Sequence, residues 1–321
     1  MLSKEDRQFE ACLDTIQVIS KAARENLGED SFYCAKGNKS AIVSVFDGCG
    51  GLGARKYDTF QGHTGAYIAS RIVSGAIHDW YHDNRDKRWK NKQDLLFSVN
   101  EYIQNAYKIC EQYATERMKI KGSMIRKFPT TFAMAYAEYD GEFIIVHILW
   151  AGDSRIYLLD EKGLAQISKD DTDVEDALEN LMNDGAMNNV LSSDGNYVLN
   201  YKAIRLRKPG LIFAATDGCF GYVPSPMEFE YILLKSLIKN STPENFKKSL
   251  QSTLAQYAGD DLALGMMSFF YSSYNNTRKQ LTERFDFVMR NYITLLNKER
   301  SDDIIQKLWK NYKIGYERYL K

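Results

Sequence analysis

The chain has 321 residues with 42 basic and 42 acidic side chains, so it carries no overall electrostatic attraction for nucleic acid or a membrane surface. Hydrophobic residues make up 44% and charged residues 26%, an ordinary soluble balance, and no apolar stretch nears the ~20 residues that a spanning helix needs. The five cysteines (Cys12, Cys34, Cys49, Cys110, Cys219) are scattered with no CxxC pair, and the first residues lack the apolar centre of a signal peptide. Reduced thiols in a cytoplasm are the expectation.

In chain order, Lys21–Lys36 reads as a polar loop running into a short strand, Ser31–Ala35, with Arg24, Glu29 and Asp30 at the junction. The apolar, β-branched run Ala41–Phe46 predicts a buried strand that delivers Asp47 to a turn of small residues, Gly48, Cys49, Gly50 and Gly51. Leu52–Gly62 reads as a charged, Gly-containing loop. Helical spacing follows over Thr64–His78 and again over about Asp94–Met118. Thr131–Glu138 and Glu142–Leu149 flank Tyr139-Asp140-Gly141, a hairpin signal, and Ser154–Asp160 forms another strand after Gly152-Asp153. Residues 164–198 are polar and suggest a flap with a short helix near Val174–Asn183. Strands resume at Tyr201–Leu206 and Leu211–Thr216, the latter ending in Asp217-Gly218. Two helices with Pro near their starts, Pro226–Lys239 and Pro243–Tyr257, precede a last strand, Leu262–Phe270, opened by Gly259-Asp260-Asp261.

The ordered strings RENLGEDS, VFDGCGG, PTTFAMAYAE, WAGDSRIYLL, LIFAATDGCFGY and GDDLALGMMSFF resemble the metal-dependent protein phosphatases of the protein phosphatase 2C (PPM) family, bacterial type, over about residues 15–270. The resemblance implies an α+β, four-layer α/β/β/α sandwich: two antiparallel sheets flanked by helices. It also implies a serine/threonine protein phosphatase that hydrolyses phosphoserine and phosphothreonine with a water activated between two metals. Mg²⁺ or Mn²⁺, two ions with room for a third, suits carboxylate ligands, because hard cations prefer oxygen. Residue by residue, Asp47 resembles the carboxylate that bridges both metals, with the Gly48 carbonyl on one of them. Asp217 and Asp260 resemble further ligands of the first metal, and Glu29 a ligand of the second. Asp30 matches an outer position that holds a metal-bound water, Asp153 a carboxylate of the third ion, and Arg24 the phosphate clamp.

The chain departs from the family pattern in three places. Arg24 to Glu29 spans five residues where four are common. Cys49 stands where many relatives carry a proton-donating His, and the loop after Gly51 is longer than usual. His63, at the end of that loop, or a metal-bound water is therefore expected to supply the proton to the leaving group, with Cys49 a spacer. The alternative class is a pseudophosphatase that binds phosphoproteins or partners without turnover. Its signature, loss of a bridging or first-metal carboxylate, is absent, since Asp47, Asp217 and Asp260 are all present.

A catalytic domain is thus expected over 1–271, and a helical extension over 272–321. In that extension Leu281, Phe285, Val288, Tyr292, Leu295 and Leu296 form one stripe, and Ser301 caps a second helix. Eleven basic against six acidic residues give the extension net +5. A helical hairpin packed on the body is expected, with a docking surface for a partner protein as the alternative. The substrate is a phosphoprotein; neither nucleic acid nor membrane is indicated.

Overall fold

A computed structural model describes Phe9 and residues 12–23, 25, 27–114, 126–141, 143–183 and 185–320. Two five-stranded antiparallel sheets lie face to face. The first runs in the order β1 (Leu13–Lys21), β12 (Leu262–Phe269), β11 (Gly210–Ala215), β8 (Arg155–Asp160) and β9 (Gly163–Gln166). The second runs β10 (Asn200–Leu206), β7 (Ile144–Ala151), β6 (Phe132–Tyr139), β3 (Ser40–Phe46) and β2 (Ser31–Lys36).

Side-chain alternation builds three apolar layers from these strands. Ala41, Val43 and Val45 of β3 meet Ile212 and Ala214 of β11 and Ala263 and Met267 of β12 between the sheets. Ile42 and Phe46 point the other way, into a layer with Val73 and Ile77 of helix α1 (Gly65–Asn84) and Val99 and Ile103 of α2 (Lys92–Tyr113). All seven residues of β3 are buried, which explains why its sequence is a continuous apolar run. Each of its Val and Ile side chains contributes about 1.5–3 kcal/mol by leaving water.

The outer face of the first sheet carries Tyr157, Leu159, Phe213 and Leu264. Outside it lie a short flap helix, α3 (Ala177–Asn183), a helical turn, α4 (Asp217–Phe220), and the long helices α5 (Pro226–Lys239) and α6 (Pro243–Tyr257). Both long helices begin and end where the sequence placed them: Pro occupies the first turn, and the Ser225 and Thr242 side chains accept the amides of Glu228 and Asn245.

The C-terminal segment forms α7 (Tyr274–Val288), a π-helical turn (Met289–Ile293), α8 (Thr294–Lys298) and α9 (Asp302–Tyr316). Leu281, Val288, Tyr292 and Leu296 of its apolar stripe, with Trp309, Tyr312 and Tyr316, are buried in the same layer as α5, whereas Phe285 is half-buried and Leu295 is exposed. Arg284 of α7 makes two 2.8 Å bonds to the fully buried Glu230 of α5, and the Tyr312 hydroxyl donates to Glu230 at 2.7 Å. Removing either partner would strand a buried charge, so the pair fixes where α7 sits.

Two local expectations change, and one strand has no counterpart in the sequence reading: Leu13–Lys21 pairs with β12 as a half-exposed edge whose sequence polar residues interrupt. The stretch after Gly51 is not all loop: Lys56–Tyr57 (β4) and His63–Thr64 (β5) pair around the turn Asp58–Phe60. Helix α2 stops at Tyr113, and residues 115–118 of the expected helix lie outside the described residues.

Candidate metal centre

Antiparallel pairing gathers the singled-out carboxylates at one end of the sandwich. β2 begins opposite the end of β3, with Ser31 beside Phe46, so Glu29 and Asp30 approach Asp47. β11 ends at Ala215 opposite Leu264 of β12 and Arg155 of β8. Asp217, Asp153 and the Asp260-Asp261 pair therefore emerge together. No local motif makes this site; the register of two sheets does.

Hydrogen bonds to backbone or carboxylate hold Asp47, Asp30 and Glu29 in place. The Asp47 amide donates to Thr131 Oγ1 at 3.1 Å, and the Asp47 carbonyl accepts the Thr131 amide at 2.8 Å and the Thr130 hydroxyl at 2.7 Å. The Thr216 hydroxyl donates to Asp30 Oδ2 at 2.7 Å. The Glu29 carboxylate accepts from the Thr64 hydroxyl, which also caps α1 by accepting the Tyr67 amide. Arg71 grips the same segment from α1, donating to the Gly28 and Glu29 carbonyls at 2.7 and 3.2 Å, with its guanidinium 3.5 Å from the centre of the Tyr67 ring. A Cβ at Gly48 would strike the Ala66 carbonyl and the Glu29 side chain, so the absence of one there lets Glu29 come close.

The electrostatics are one-sided. Burial, then the charges of Asp217, Asp30, Asp153 and Asp260, holds the Asp47 carboxyl well above the usual carboxylate range. Burial and the neighbouring carboxylates Asp217, Asp261 and Asp260 do the same to Asp30, against the opposing Thr216 bond. Burial and Asp217 push Asp153 up to about 8. Glu29 is raised as well, chiefly by burial. The Cys49 thiol is pushed well above its ordinary range by burial and by Asp47, Asp153 and Asp217.

Among the described residues, no three His, Cys, Asp or Glu side chains converge tightly enough to hold an ion as they stand. The donor set nevertheless fits hard divalent cations: the cluster is built of carboxylate oxygens, and buried Asp153 Oδ1 has no hydrogen-bond partner. Such a cation is the natural counter-charge for buried carboxylates whose pKa is raised by burial and neighbouring charge.

His63 lies in β5, its ring stacked on Tyr67 with centroids 3.8 Å apart. It lines two adjoining clefts, one with Asp30, Arg71 and Asp261, the other with Glu29, Lys56 and Asp260. Arg24 lies outside the described residues. Sequence reasoning missed Asp261, whose Oδ1 accepts the Ala23 amide at 2.7 Å and whose Oδ2 accepts the Glu29 amide at 2.5 Å. It also missed Thr64, Arg71, Thr130, Thr131 and Thr216. The paired Asp of Gly259-Asp260-Asp261 was the available signal; hydroxyls and a helical Arg give none.

A model of the family described as Protein phosphatase 2C matches residues 20–256. No curated protein matches the chain. Among solved structures, the Mycobacterium tuberculosis serine/threonine phosphatase PstP/Ppp is similar at a TM-score of 0.54 and 19% identity, over 80% of this chain and 98% of that one. Staphylococcus aureus serine/threonine phosphatase Stp1 is similar at 0.58 and 15%, over 80% and 96%. The catalytic domain of PstP in complex with 2 manganese ions is similar at 0.51 and 18%, over 80% and 99%. At these identities the likenesses speak for the sandwich fold.

Proposed function

The chain belongs to the protein phosphatase 2C family, and on that premise we propose that it is a serine/threonine phosphatase acting on phosphoproteins with Mg²⁺ or Mn²⁺. The observation that carries this reading is the meeting of Asp47, Asp30, Asp153 and Asp217 at one end of the sandwich, where burial and the Asp217 charge raise the pKa of the other three. Asp47, the Gly48 carbonyl, Asp217, Asp260 and Glu29 would hold two ions, Asp30 would orient a water, and Asp153 would serve a third ion. Manganese in the PstP catalytic domain supports that choice of metal. Bound there, such ions offset phosphate charge and lower the pKa of water.

The protein's own residues supply position and protons. Thr216 orients Asp30, and Asp261 fixes the segment that carries Glu29 and Asp30. Arg24 is the proposed phosphate clamp and His63, lining both clefts, the proposed proton donor to the departing oxygen. Residues 1–271 would form the catalytic unit, with 272–321 as its helical extension. No helix among the described residues is long and apolar enough to cross a membrane, and all five cysteines are free, which suits the cytoplasm.

The deciding experiment is hydrolysis of a phosphothreonine peptide by the full chain with Mn²⁺, and again with excess chelator. Turnover that vanishes with chelator and returns with Mn²⁺ is expected. Turnover indifferent to chelator overturns the metal mechanism. Tight phosphopeptide binding without turnover under either metal would mark a pseudophosphatase.

A further inference from the structure

The C-terminal helix reaches the flap beside the carboxylate cluster through polar contacts that the proposed chemistry does not use. Trp309 Nε1, on a side chain only 2% exposed, donates to both oxygens of Asp176 at 3.1 Å. Lys313 Nζ meets Asp176 Oδ2 at 2.6 Å. Asp176 is the residue that starts the flap helix α3: its Oδ1 also accepts the amides of Leu178 and Glu179 at 2.9 and 3.0 Å. Leu178 is buried with Trp309 in one apolar layer. Burial raises the Asp176 carboxyl, but the bonds from Lys313, the Glu179 amide and Trp309 overcome it and leave the group below its ordinary range.

One turn on, the Tyr316 hydroxyl lies 3.3 Å from both Arg155 Nη1 and the Tyr157 hydroxyl. Arg155 is itself buried and grips Asp170 of the flap with bonds of 2.6–3.0 Å. Asn180 of α3 donates to the same Asp170 at 2.8 Å. The next flap residue, Asp171, accepts the Gly152 amide through its carboxylate at 3.0 Å and donates its own amide to the Gly152 carbonyl at 3.0 Å. Gly152 stands at φ +99° immediately before Asp153, a backbone that a side chain would strain. A continuous set of bonds thus joins α9 to the flap, and the flap to the turn that presents Asp153.

We propose that Trp309, Lys313 and Tyr316 are positioning residues, through which the C-terminal helix holds flap segment 170–183 beside Asp153 and so governs handling of a protein substrate. The functional half of this proposal rests on the phosphatase reading; the structural half does not. Both are tested on the full chain with W309F plus K313M, with K313R, and with Y316F, all of which keep most of the buried volume. Amide hydrogen exchange is measured on metal-free protein. Hydrogen bonds to charged groups are strong enough that W309F/K313M should speed exchange over residues 171–183 roughly tenfold or more, leaving β3 and β6 unchanged. K313R, which keeps the charge on Asp176, should stay near wild type. Y316F should loosen the segment less, because Tyr157 still faces Arg155.

With Mn²⁺, kcat/KM for a phosphothreonine peptide should fall more than that for a small aryl phosphate. Unchanged exchange over 171–183 in folded W309F/K313M overturns the proposal. A uniform rise across all strands also overturns it, since the contacts would then serve global stability alone. If wild type shows no turnover, the phosphatase reading fails and the exchange data still decide the clamp.

Discussion

Asp261 Oδ2 accepts the amide of Glu29 at 2.5 Å, tying the residue just before β12 to one 232 positions earlier in the chain. With Oδ1 on the Ala23 amide, one carboxylate holds the backbone at both Ala23 and Glu29. Asp260, its neighbour, is exposed, whereas Asp261 is only 7% exposed. Asp261 thus holds the backbone while also lining both clefts, and Asp260 lines the second.

Asp261→Ala leaves those amides without their charged acceptor, which costs about 1.5–3 kcal/mol for each strong bond. Supporting groups of this kind set ligand geometry, so Mn²⁺ affinity should fall roughly 10–100-fold. Titration calorimetry and thermal melting check both effects. Unchanged metal affinity in a folded Asp261→Ala protein would remove Asp261 from the site.

Asp47→Asn and Asp217→Asn keep shape and remove charge. Because burial and mutual repulsion raise Asp47, each neutral variant should melt higher than wild type in chelator. Activity with Mn²⁺ should fall by more than the roughly 10–100-fold lost with a supporting group. A variant that melts lower in chelator and retains full turnover would contradict the charge assignment.

The same shifts fix a pH dependence. Asp153, held up to about 8 in the fold, binds a proton more tightly there than in the unfolded chain, where an Asp titrates near ~4. Its contribution to stability is fully present below that unfolded value and is lost as pH rises through about 8. Metal-free protein should therefore lose melting temperature across that window. Saturating Mn²⁺ should reverse the loss most at the alkaline end, since a ligand at 100 times its Kd adds about 2.7 kcal/mol. Melting curves at several pH values, with chelator and with Mn²⁺, test this; a metal-free melting temperature that rises with pH would be the opposite sign.

What the sequence made legible follows from how each residue is held. Asp47 and Asp217 end buried apolar strands, so their placement could be read from the runs before them. Helices α5 and α6 were bounded by their own Ser, Thr and Pro signals. β1 hid because an edge strand half in water does not alternate cleanly, and the β4–β5 hairpin because two-residue strands have no period at all. Thr64, Thr131 and Thr216 act through contacts fixed only by tertiary register, and nothing local distinguishes them from other hydroxyls.

The proton for the leaving group separates His63 from Cys49. An alkoxide leaves poorly, and a well-placed general acid is worth roughly 10²–10⁴-fold. Cys49 sits two residues from Asp47, and burial with the carboxylates Asp47, Asp153 and Asp217 makes its thiol a still weaker acid than a free one. Its Sγ lies 3.8 Å from the Asp47 carbonyl, facing protein backbone. His63 instead lines both clefts, in a strand paired through Tyr57 and stacked on Tyr67, so it is held in place rather than swinging on a loop. His63→Gln should slow a phosphothreonine peptide by about 10²-fold or more while leaving an aryl phosphate, whose phenolate needs no proton, within a few-fold. Cys49→Ser should leave both substrates near wild type. Equal losses on both substrates in His63→Gln would assign the ring to binding, and a peptide-selective loss in Cys49→Ser would move the acid to the thiol.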